Sequence, residues 1–296
     1  MQRAVLPFSS TITDPYDTST CRTSVDILAL CSKLRILVRT PHDIARHELP
    51  FYSEAQDISF PLLEHLEWHN NEPERMGGIN SLCAVLCMAP NLTYLFIAGL
   101  PGRSRIIPRS VSLPVLTTLH LRNVDGLLLH VIVDRWALPA LAHLILDDPW
   151  YSQALLIIWE KYGPQLRTVE LGKHLRFLVR DVISPCLRCC PSLEEINYYP
   201  LFTTSPVLEQ AHYSLKTVGL HYAPNLYLID QASIRSSLEQ HFDWLLSRQL
   251  PLLQRIVLHG DWTNAVADPR FKPILERSVR RGKFIVYPDG SRISID

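Results

Sequence analysis

The stretch SLPVLTTLHLRNV, residues Ser112–Val124, carries the pattern that decides the fold. Leu119 and Leu121 are two residues apart, which is the period at which side chains of a β-strand return to the same face. Leu116 precedes them by three residues, and Pro114 stands two residues before Leu116. Proline has no backbone N–H for a sheet ladder, so it suits the start of a strand and ends a helix before it. The stretch therefore predicts a buried strand that begins just after a proline.

The same pattern recurs along the chain at spacings of 22 to 38 residues. Nine copies begin at Leu34, Leu63, Leu92, Leu116, Leu141, Leu166, Leu193, Leu215 and Leu253. Seven of them have a proline two residues upstream: Pro61, Pro90, Pro114, Pro139, Pro164, Pro191 and Pro251. A period in this range is typical of proteins built from stacked short repeats. The sequence therefore predicts an α/β solenoid of about nine irregular repeats.

Segments with helical character separate the strand motifs, at residues 79–89, 126–137, 152–162, 174–183 and 231–248. A single strand–helix unit cannot bury its apolar face, so neighbouring units stack around one core. We expect one curved domain over residues 25–260, with parallel strands on its concave face and helices on its convex face. Residues 1–24 are expected to be a polar arm or cap. Residues 261–296 are expected to be a C-terminal cap of a helix and a hairpin, with strands at 284–287 and 292–295.

Four of the repeats read APNLTYLFI, LPVLTTLHL, LPALAHLIL and CPSLEEINY. These phrases resemble the irregular repeats of leucine-rich-repeat proteins, and in particular the F-box/LRR-like proteins that are abundant in mushroom-forming fungi. The resemblance covers about residues 25–260. It implies a leucine-rich-repeat solenoid, in agreement with the repeat pattern.

The resemblance also implies a function, because members of this family commonly serve as substrate receptors of SCF-type ubiquitin ligases. In those proteins an N-terminal F-box binds the adaptor subunit and the repeats bind the substrate. An F-box typically begins Leu-Pro-x-Glu, whereas this chain reads LPFSS from Leu6 and its repeats begin by Ser24. We therefore expect no F-box in this chain. Two functions stay open: a non-catalytic interaction scaffold, and a ligase substrate receptor whose F-box is missing here.

The composition bounds the class of partner. Lys plus Arg and Asp plus Glu each number 29, so the formal net charge is zero and gives no electrostatic reason to expect nucleic acid. A basic run, ERSVRRGK at residues 276–283, is expected to be a solvated helix end. The most apolar window, residues 127–146, contains Asp134, Arg135 and Pro139, so we expect no membrane span. The missing secretory signal and an odd number of cysteines favour a cytoplasmic or nuclear protein.

Strand alternation places three rows of side chains on the expected concave face, two, four and six residues after each repeat leucine. Six of these residues form the predicted site for a protein partner: His65, Glu67, Tyr94, Phe96, His120 and His143. Tyr94 and Phe96 are expected to be exposed aromatic anchors, with hydrogen-bonding groups around them. The later strands offer mainly small side chains: Thr168, Gly172, Thr217 and Gly219. Because these supply little contact area, we expect the partner at the N-terminal half.

Two groups of residues resemble metal-binding sites in their residue types and spacing. Cys186, Cys189 and Cys190 contain a C-x-x-C spacing, but Cys190 fills the position three before a repeat leucine that Cys31 also fills. That is a packing position, so we expect neither a metal ion nor a disulfide there. His65, Glu67 and His69 share one face of a strand, but they are spread over two pleats and are too far apart to hold one zinc ion.

The sequence has no G-x-S-x-G elbow, Gly-rich phosphate loop or H-E-x-x-H helix, so we predict no catalytic residue and no cofactor. A hydrolase whose Ser, His and Asp come from distant segments remains the alternative outside the binding proteins, because chain order does not fix such a site.

Overall fold

The computed structural model describes residues 3–6, 33–39, 59–69, 78–99, 109–124, 126–147, 152–172, 181–223 and 231–293. These residues form a mixed α/β fold of parallel strands and helices. The chain divides into two compact units. The first unit is Met1–Ala142 with Pro149–Ile157, and the second unit is His143–Asp148 with Ile158–Asp296.

Thirteen strands are assigned within the described residues: β1 Arg3–Leu6, β2 Ile36–Arg39, β3 His65–His69, β4 Tyr94–Ala98, β5 Val111–Ser112, β6 Thr118–Arg122, β7 Trp136–Ala137, β8 His143–Asp147, β9 Thr168–Leu171, β10 Glu195–Tyr198, β11 Thr217–His221, β12 Arg255–His259 and β13 Phe284–Val286. In the first unit, β1, β2, β3, β4 and β6 pair in that order, and every pair is parallel. In the second unit, β8 to β13 pair in chain order, again in parallel. The short strands β5 and β7 form a separate parallel pair in the first unit.

Helices lie between the strands at most of the predicted places. Residues 174–180 of the helix expected at 174–183 lie outside the described residues, and the helix that the structure describes there is Ile183–Cys189. Seven are assigned within the described ranges: α1 Gly78–Cys87, α2 Gly126–Arg135, α3 Ser152–Tyr162, α4 Ile183–Cys189, α5 Gln231–Leu245, α6 Thr263–Val266 and α7 Lys272–Arg280. Helix α2 shows how they are formed, because it buries Leu128 and Ile132 at a spacing of one turn and leaves Leu127 exposed. Over the part of the chain that the structure describes, none of the helices has the length and apolarity to span a bilayer.

The repeat leucines form the core. All nine of them are at most 3% exposed. The inward strand positions that follow are buried as well: Leu119 is 0% exposed and Leu121 1%, while Leu144 is 0% and Leu146 2%. The register predicted from the leucine spacing is therefore confirmed for these strands. Since parallel sheets cannot leave a leucine face in water, this burial is what holds the repeats together.

The proline ahead of seven repeat strands has a further role beyond the one expected. At each of the seven repeats with proline, the N–H of the repeat leucine donates to the carbonyl three residues earlier, at 3.1 to 3.3 Å. Proline is thus the second residue of a four-residue turn, where its fixed φ is favourable and its missing N–H costs no hydrogen bond. In the repeat of Leu116, for example, the acceptor is Leu113 and the turn contains Pro114. The proline therefore forms part of the turn that leads into the strand, in addition to ending the preceding helix.

A second hydrogen-bond pattern links one repeat to the next. The carbonyl of Arg35 accepts the N–H groups of both Glu64, at 2.9 Å, and His65, at 3.0 Å. In the following repeat, the carbonyl of Glu64 accepts in the same way from Thr93 and Tyr94. Equivalent residues of successive repeats therefore have equivalent backbone partners at the start of each strand.

The two ends of the described chain carry the regions expected to be caps. Within residues 1–24, Arg3–Leu6 forms strand β1, which pairs with β2, and the other residues of the predicted arm lie outside the described residues. At the C-terminus, helix α7 is followed by β13. The chain then turns back, and Val286 forms one antiparallel bridge with Arg292. The second strand of the expected hairpin is thus a single bridge in the part that the structure describes.

Candidate protein-binding face

The ladder face is the side of each sheet opposite the buried leucines. In the first unit it carries three rows of side chains, set by the pairing of β3, β4 and β6: His65–Tyr94–Thr118, Glu67–Phe96–His120 and His69–Ala98–Arg122. These are the rows that strand alternation predicts. Equivalent side chains stand on neighbouring strands, so each row is continuous across the unit.

Five of the six residues predicted to bind the partner lie on this face and contact one another: His65, Glu67, Tyr94, Phe96 and His120, here called the first-unit cluster. The rings of His65 and Tyr94 stack with centroids 4.3 Å apart and an angle of 6° between their planes. The Tyr94 hydroxyl lies 3.1 Å from Nδ1 of His120. Nε2 of His65 lies 2.9 Å from Oε1 of Glu67, so the imidazole N–H donates to the carboxylate. The cluster is one connected set of polar and aromatic groups.

Phe96 is only 6% exposed, so it is not the open aromatic anchor that the sequence analysis predicts. The rings of His69 and His120 pack against it, with centroids at 4.7 Å and 4.5 Å. Strand alternation fixes the face on which a side chain lies, but it does not fix what packs over that side chain. Tyr94 is partly exposed and is therefore the accessible aromatic residue of the cluster.

His143, the sixth predicted residue, belongs to the second unit, where it begins β8. Its Nε2 lies 2.8 Å from Oε1 of Glu170 on the neighbouring strand β9, and it donates to that carboxylate. His143 therefore forms a histidine–carboxylate pair on the ladder face of the second unit.

The second unit also carries a stack of three rings, Tyr199, His221 and His259. Tyr199 and His221 have centroids 4.9 Å apart, and His221 and His259 have centroids 4.4 Å apart with planes 9° from parallel. Burial lowers the pKa of His221 to about 4, and the neighbouring His259 adds to the effect. The expectation that the later strands offer little contact area is wrong for this row. The signal was present in the sequence, because all three residues occupy the third row of the alternation.

Of the three cysteines in the C-x-x-C stretch, Cys186 and Cys190 pack in the core and Cys189 is partly exposed. Cys186 and Cys190 are both 0% exposed, and the Cys186 thiol donates to the Cys190 sulfur at 4.0 Å. This contact and the burial raise the pKa of Cys186 well above its usual value, which keeps the group protonated and unreactive. Across the described segments, no three His, Cys, Asp or Glu side chains are arranged to hold a metal ion.

Neither the protein-family models nor the curated proteins with which the sequence was compared match the chain. A functional assignment therefore depends on the fold and the ladder face. That face offers stacked rings, imidazole N–H donors and a phenol hydroxyl, all suited to non-covalent recognition of another molecule.

Proposed function

We propose that the chain is a leucine-rich-repeat solenoid of about nine irregular repeats that binds a partner protein on its concave face, without catalysis and without a cofactor. Three features support the proposal: the parallel ladders, the shared turn ahead of seven repeat leucines, and the burial of all nine repeat leucines. In such a solenoid, equal positions of successive strands form a surface large enough to hold another protein. The ladder face is the proposed surface.

The contact network of the first-unit cluster carries the proposal. Tyr94 is stacked on His65 and bonded to His120, so its ring is held in one position before any partner arrives. A side chain that is already fixed loses little conformational entropy when it binds. Tyrosine is also among the residues that most often dominate the binding energy of an interface, because it offers a large apolar area and a hydroxyl. Tyr94 is thus the proposed centre of the interface.

The first testable prediction is the loss of binding on Tyr94→Ala. A partner isolated by affinity capture and then purified should bind this variant about 30-fold more weakly than the parent, which corresponds to about 2 kcal/mol. Calorimetric titration measures the change. Phe96 is unsuitable for this test because removing a buried ring lowers the stability of the fold.

Tyr213→Ala is the matched control. Tyr213 is 71% exposed and lies outside the strands of the second unit, so the same substitution there should leave the affinity unchanged. Equal affinities of the parent and the Tyr94 variant, with both proteins folded, would place the interface elsewhere. Adaptor and cullin subunits in the captured material would favour the ligase receptor over a simple scaffold.

A further inference from the structure

Strands β10 and β11 are connected by a segment without an α-helix. Residues 199–216, all of them described, contain only the short 3₁₀ turn Pro200–Phe202. The beginning of this segment is nevertheless packed into the unit, because Leu201 is 1% exposed and Thr203 is 2% exposed. We call residues 200–206 the strap. Since the strap has no helix of its own, its position depends on the elements beside it.

Helix α5 holds both ends of the strap through hydroxyl groups. The hydroxyl of Ser237 on the helix donates to the carbonyl of Pro200 at 3.4 Å. In the opposite direction, the hydroxyl of Ser205 on the strap donates to the carbonyl of Gln240 at 3.1 Å. The first bond holds the beginning of the strap and the second holds its end.

His241 of helix α5 holds the middle of the strap. It is 0% exposed, and its Nε2 lies 3.1 Å from the carbonyl oxygen of Thr203, so the ring donates this N–H. In the neutral ring Nδ1 then carries no proton, and it accepts the hydroxyl of Tyr198 at 3.1 Å. Tyr198 is itself 1% exposed. These contacts fit the neutral imidazole, because a proton on Nδ1 would displace the hydroxyl proton that Nδ1 accepts.

The surroundings of His241 disfavour its charged form. Burial lowers the pKa of His241, against the bonds to Thr203 and Pro200 and the charge of Asp181. The Asp181 carboxylate already accepts two backbone N–H groups at the start of helix α4, at 3.0 and 2.8 Å. Strand β10 contributes the phenol of Tyr198, and the strap has no titratable side chain.

Helix α5 itself offers no carboxylate on the same side as His241. Its acidic residues nearest to His241 are Glu239 and Asp243, two positions away in either direction, and residues two apart do not face each other on a helix. Asp243 also accepts from Arg277 at 2.6 Å. An imidazolium at position 241 is therefore better accommodated in water than beneath the strap.

We propose that the strap is an acid-sensitive latch on helix α5: when His241 takes up a proton, residues 200–206 are released from the helix while the unit stays folded. The strap is the part to open because single side-chain bonds hold it, whereas the strands are joined by continuous backbone ladders. Its release hydrates the imidazolium and exposes Leu201 and Thr203.

The direction of the pH effect follows from linkage. In the released strap His241 titrates near pH 6.5, and in the closed strap it binds a proton less readily, so the opening equilibrium constant rises as the pH falls. Where the closed form stays neutral, the constant rises about 10-fold between pH 7.5 and pH 5.5.

Hydrogen exchange followed by NMR tests the latch. The N–H of Val182 donates to the hydroxyl oxygen of Thr203 at 3.4 Å, so its exchange reports strap opening. After correction for the intrinsic rate, the protection of Val182 should fall about 10-fold from pH 7.5 to pH 5.5. Dilute urea should not change it, because local opening exposes little surface. The N–H of Tyr222, which donates to the carbonyl of His259 at 2.9 Å, should be better protected and should respond to urea.

His241→Gln is the decisive variant, because a glutamine amide can still donate to the Thr203 carbonyl but takes up no proton. The protection of Val182 in this variant should not depend on pH. His130→Gln, at an exposed position of helix α2, should keep the 10-fold fall of the parent.

Three results would overturn the inference: unchanged protection of Val182 between the two pH values, the same protection and urea response for Val182 and Tyr222, or a pH-dependent loss that persists in His241→Gln. If His241→Gln does not fold, the ring nitrogen shifts of His241 in the parent decide the matter. The latch requires a neutral ring in the closed strap at pH 5.5, and a protonated ring without loss of Val182 protection would reject it.

Discussion

Leu144 shows how much one inward side chain contributes to a sheet of this kind. It is 0% exposed and stands beside Val169 of the neighbouring strand. Leu144→Ala removes buried methyl groups and leaves a cavity, so the free energy of unfolding should fall by about 2–5 kcal/mol. Chemical denaturation followed by circular dichroism measures the loss. Ile145→Ala, one residue later and on the partly exposed ladder face, is the control; an equal loss for both variants would contradict the alternation.

At the scale of single residues, the sequence predicts burial correctly where a periodic pattern decides which side chains are buried. It fails where a contact from a distant segment buries a side chain. The inward leucines follow from the spacing of two residues alone. Phe96 obeys the same alternation, yet His69 and His120 pack over it, and no pattern along one strand encodes that cover. Lys283 belongs to a basic run that predicts a solvated helix end, but it is 4% exposed. Its surroundings come from a helix that ends some forty residues earlier.

Lys283 links the end of helix α5 to the start of β13. Its amine donates to the carbonyls of Leu245 at 2.7 Å, Leu250 at 3.1 Å and Ser247 at 3.3 Å. These carbonyls end a helix and the turn that follows it, where backbone acceptors have no partner within the helix. Burial lowers the pKa of Lys283 to about 8, and Arg281 adds to this, so the amine is still mainly charged at pH 7. The Lys283 side chain therefore supplies hydrogen-bond donors to the end of helix α5 and links it to the start of β13.

Lys283→Met should lower the free energy of unfolding by about 1–3 kcal/mol, because it preserves the length of the side chain but leaves buried carbonyls without a donor. Thermal and urea unfolding measure the change. Lys216→Met is the matched control, since the exposed Lys216 only pairs with Glu194 at the surface and such pairs contribute about 1 kcal/mol or less. If the two variants lose the same stability, Lys283 has no special role at the helix end.

At the scale of elements, the sequence predicts the nine repeat strands and most helices, because proline, leucine spacing and helical segments recur together. Strands β1, β5 and β7 have no counterpart in the repeat pattern. The prediction that these prolines stand just before the strands is correct, but the reason given for it is incomplete. Pro114 and its equivalents occupy the second position of a turn, and the hydrogen bond of that turn is made by a backbone N–H that carries no sequence signal. Hydrogen-bond partners between backbone groups have to be seen in the structure.

The stability of the whole chain should fall in mild acid. Burial lowers the pKa of His221 to about 4, and burial likewise lowers the pKa of His241, against the bonds to Thr203 and Pro200 and the charge of Asp181. An unfolded histidine titrates near pH 6.5, so between about pH 6.5 and 4 the unfolded chain binds more protons than the folded chain. The free energy of unfolding therefore decreases as the pH falls through this window.

His221→Gln isolates part of this effect, because glutamine cannot take up the proton. The midpoint temperature of unfolding, measured from pH 7 to pH 5, should depend less on pH in this variant than in the parent. His130→Gln, at an exposed position of helix α2, should keep the pH dependence of the parent. A His221 variant with the same pH dependence as the parent would show that this ring does not resist protonation in the fold.

Neighbouring strands keep the same register even where the segment that connects them is long. Thr217 stands opposite Arg255 although the two repeats are 38 residues apart, and Glu195 stands opposite Thr217 across only 22 residues. Alignment is thus set locally, at the repeat leucine and the backbone bonds that start each strand, and not by the length of chain in between. Insertions and deletions between strands can accumulate over generations without moving the outward-facing side chains of the ladder face. Each strand can in turn exchange its outward residues one at a time, so the chemistry of the ladder face can change by point mutation while the strands keep their positions.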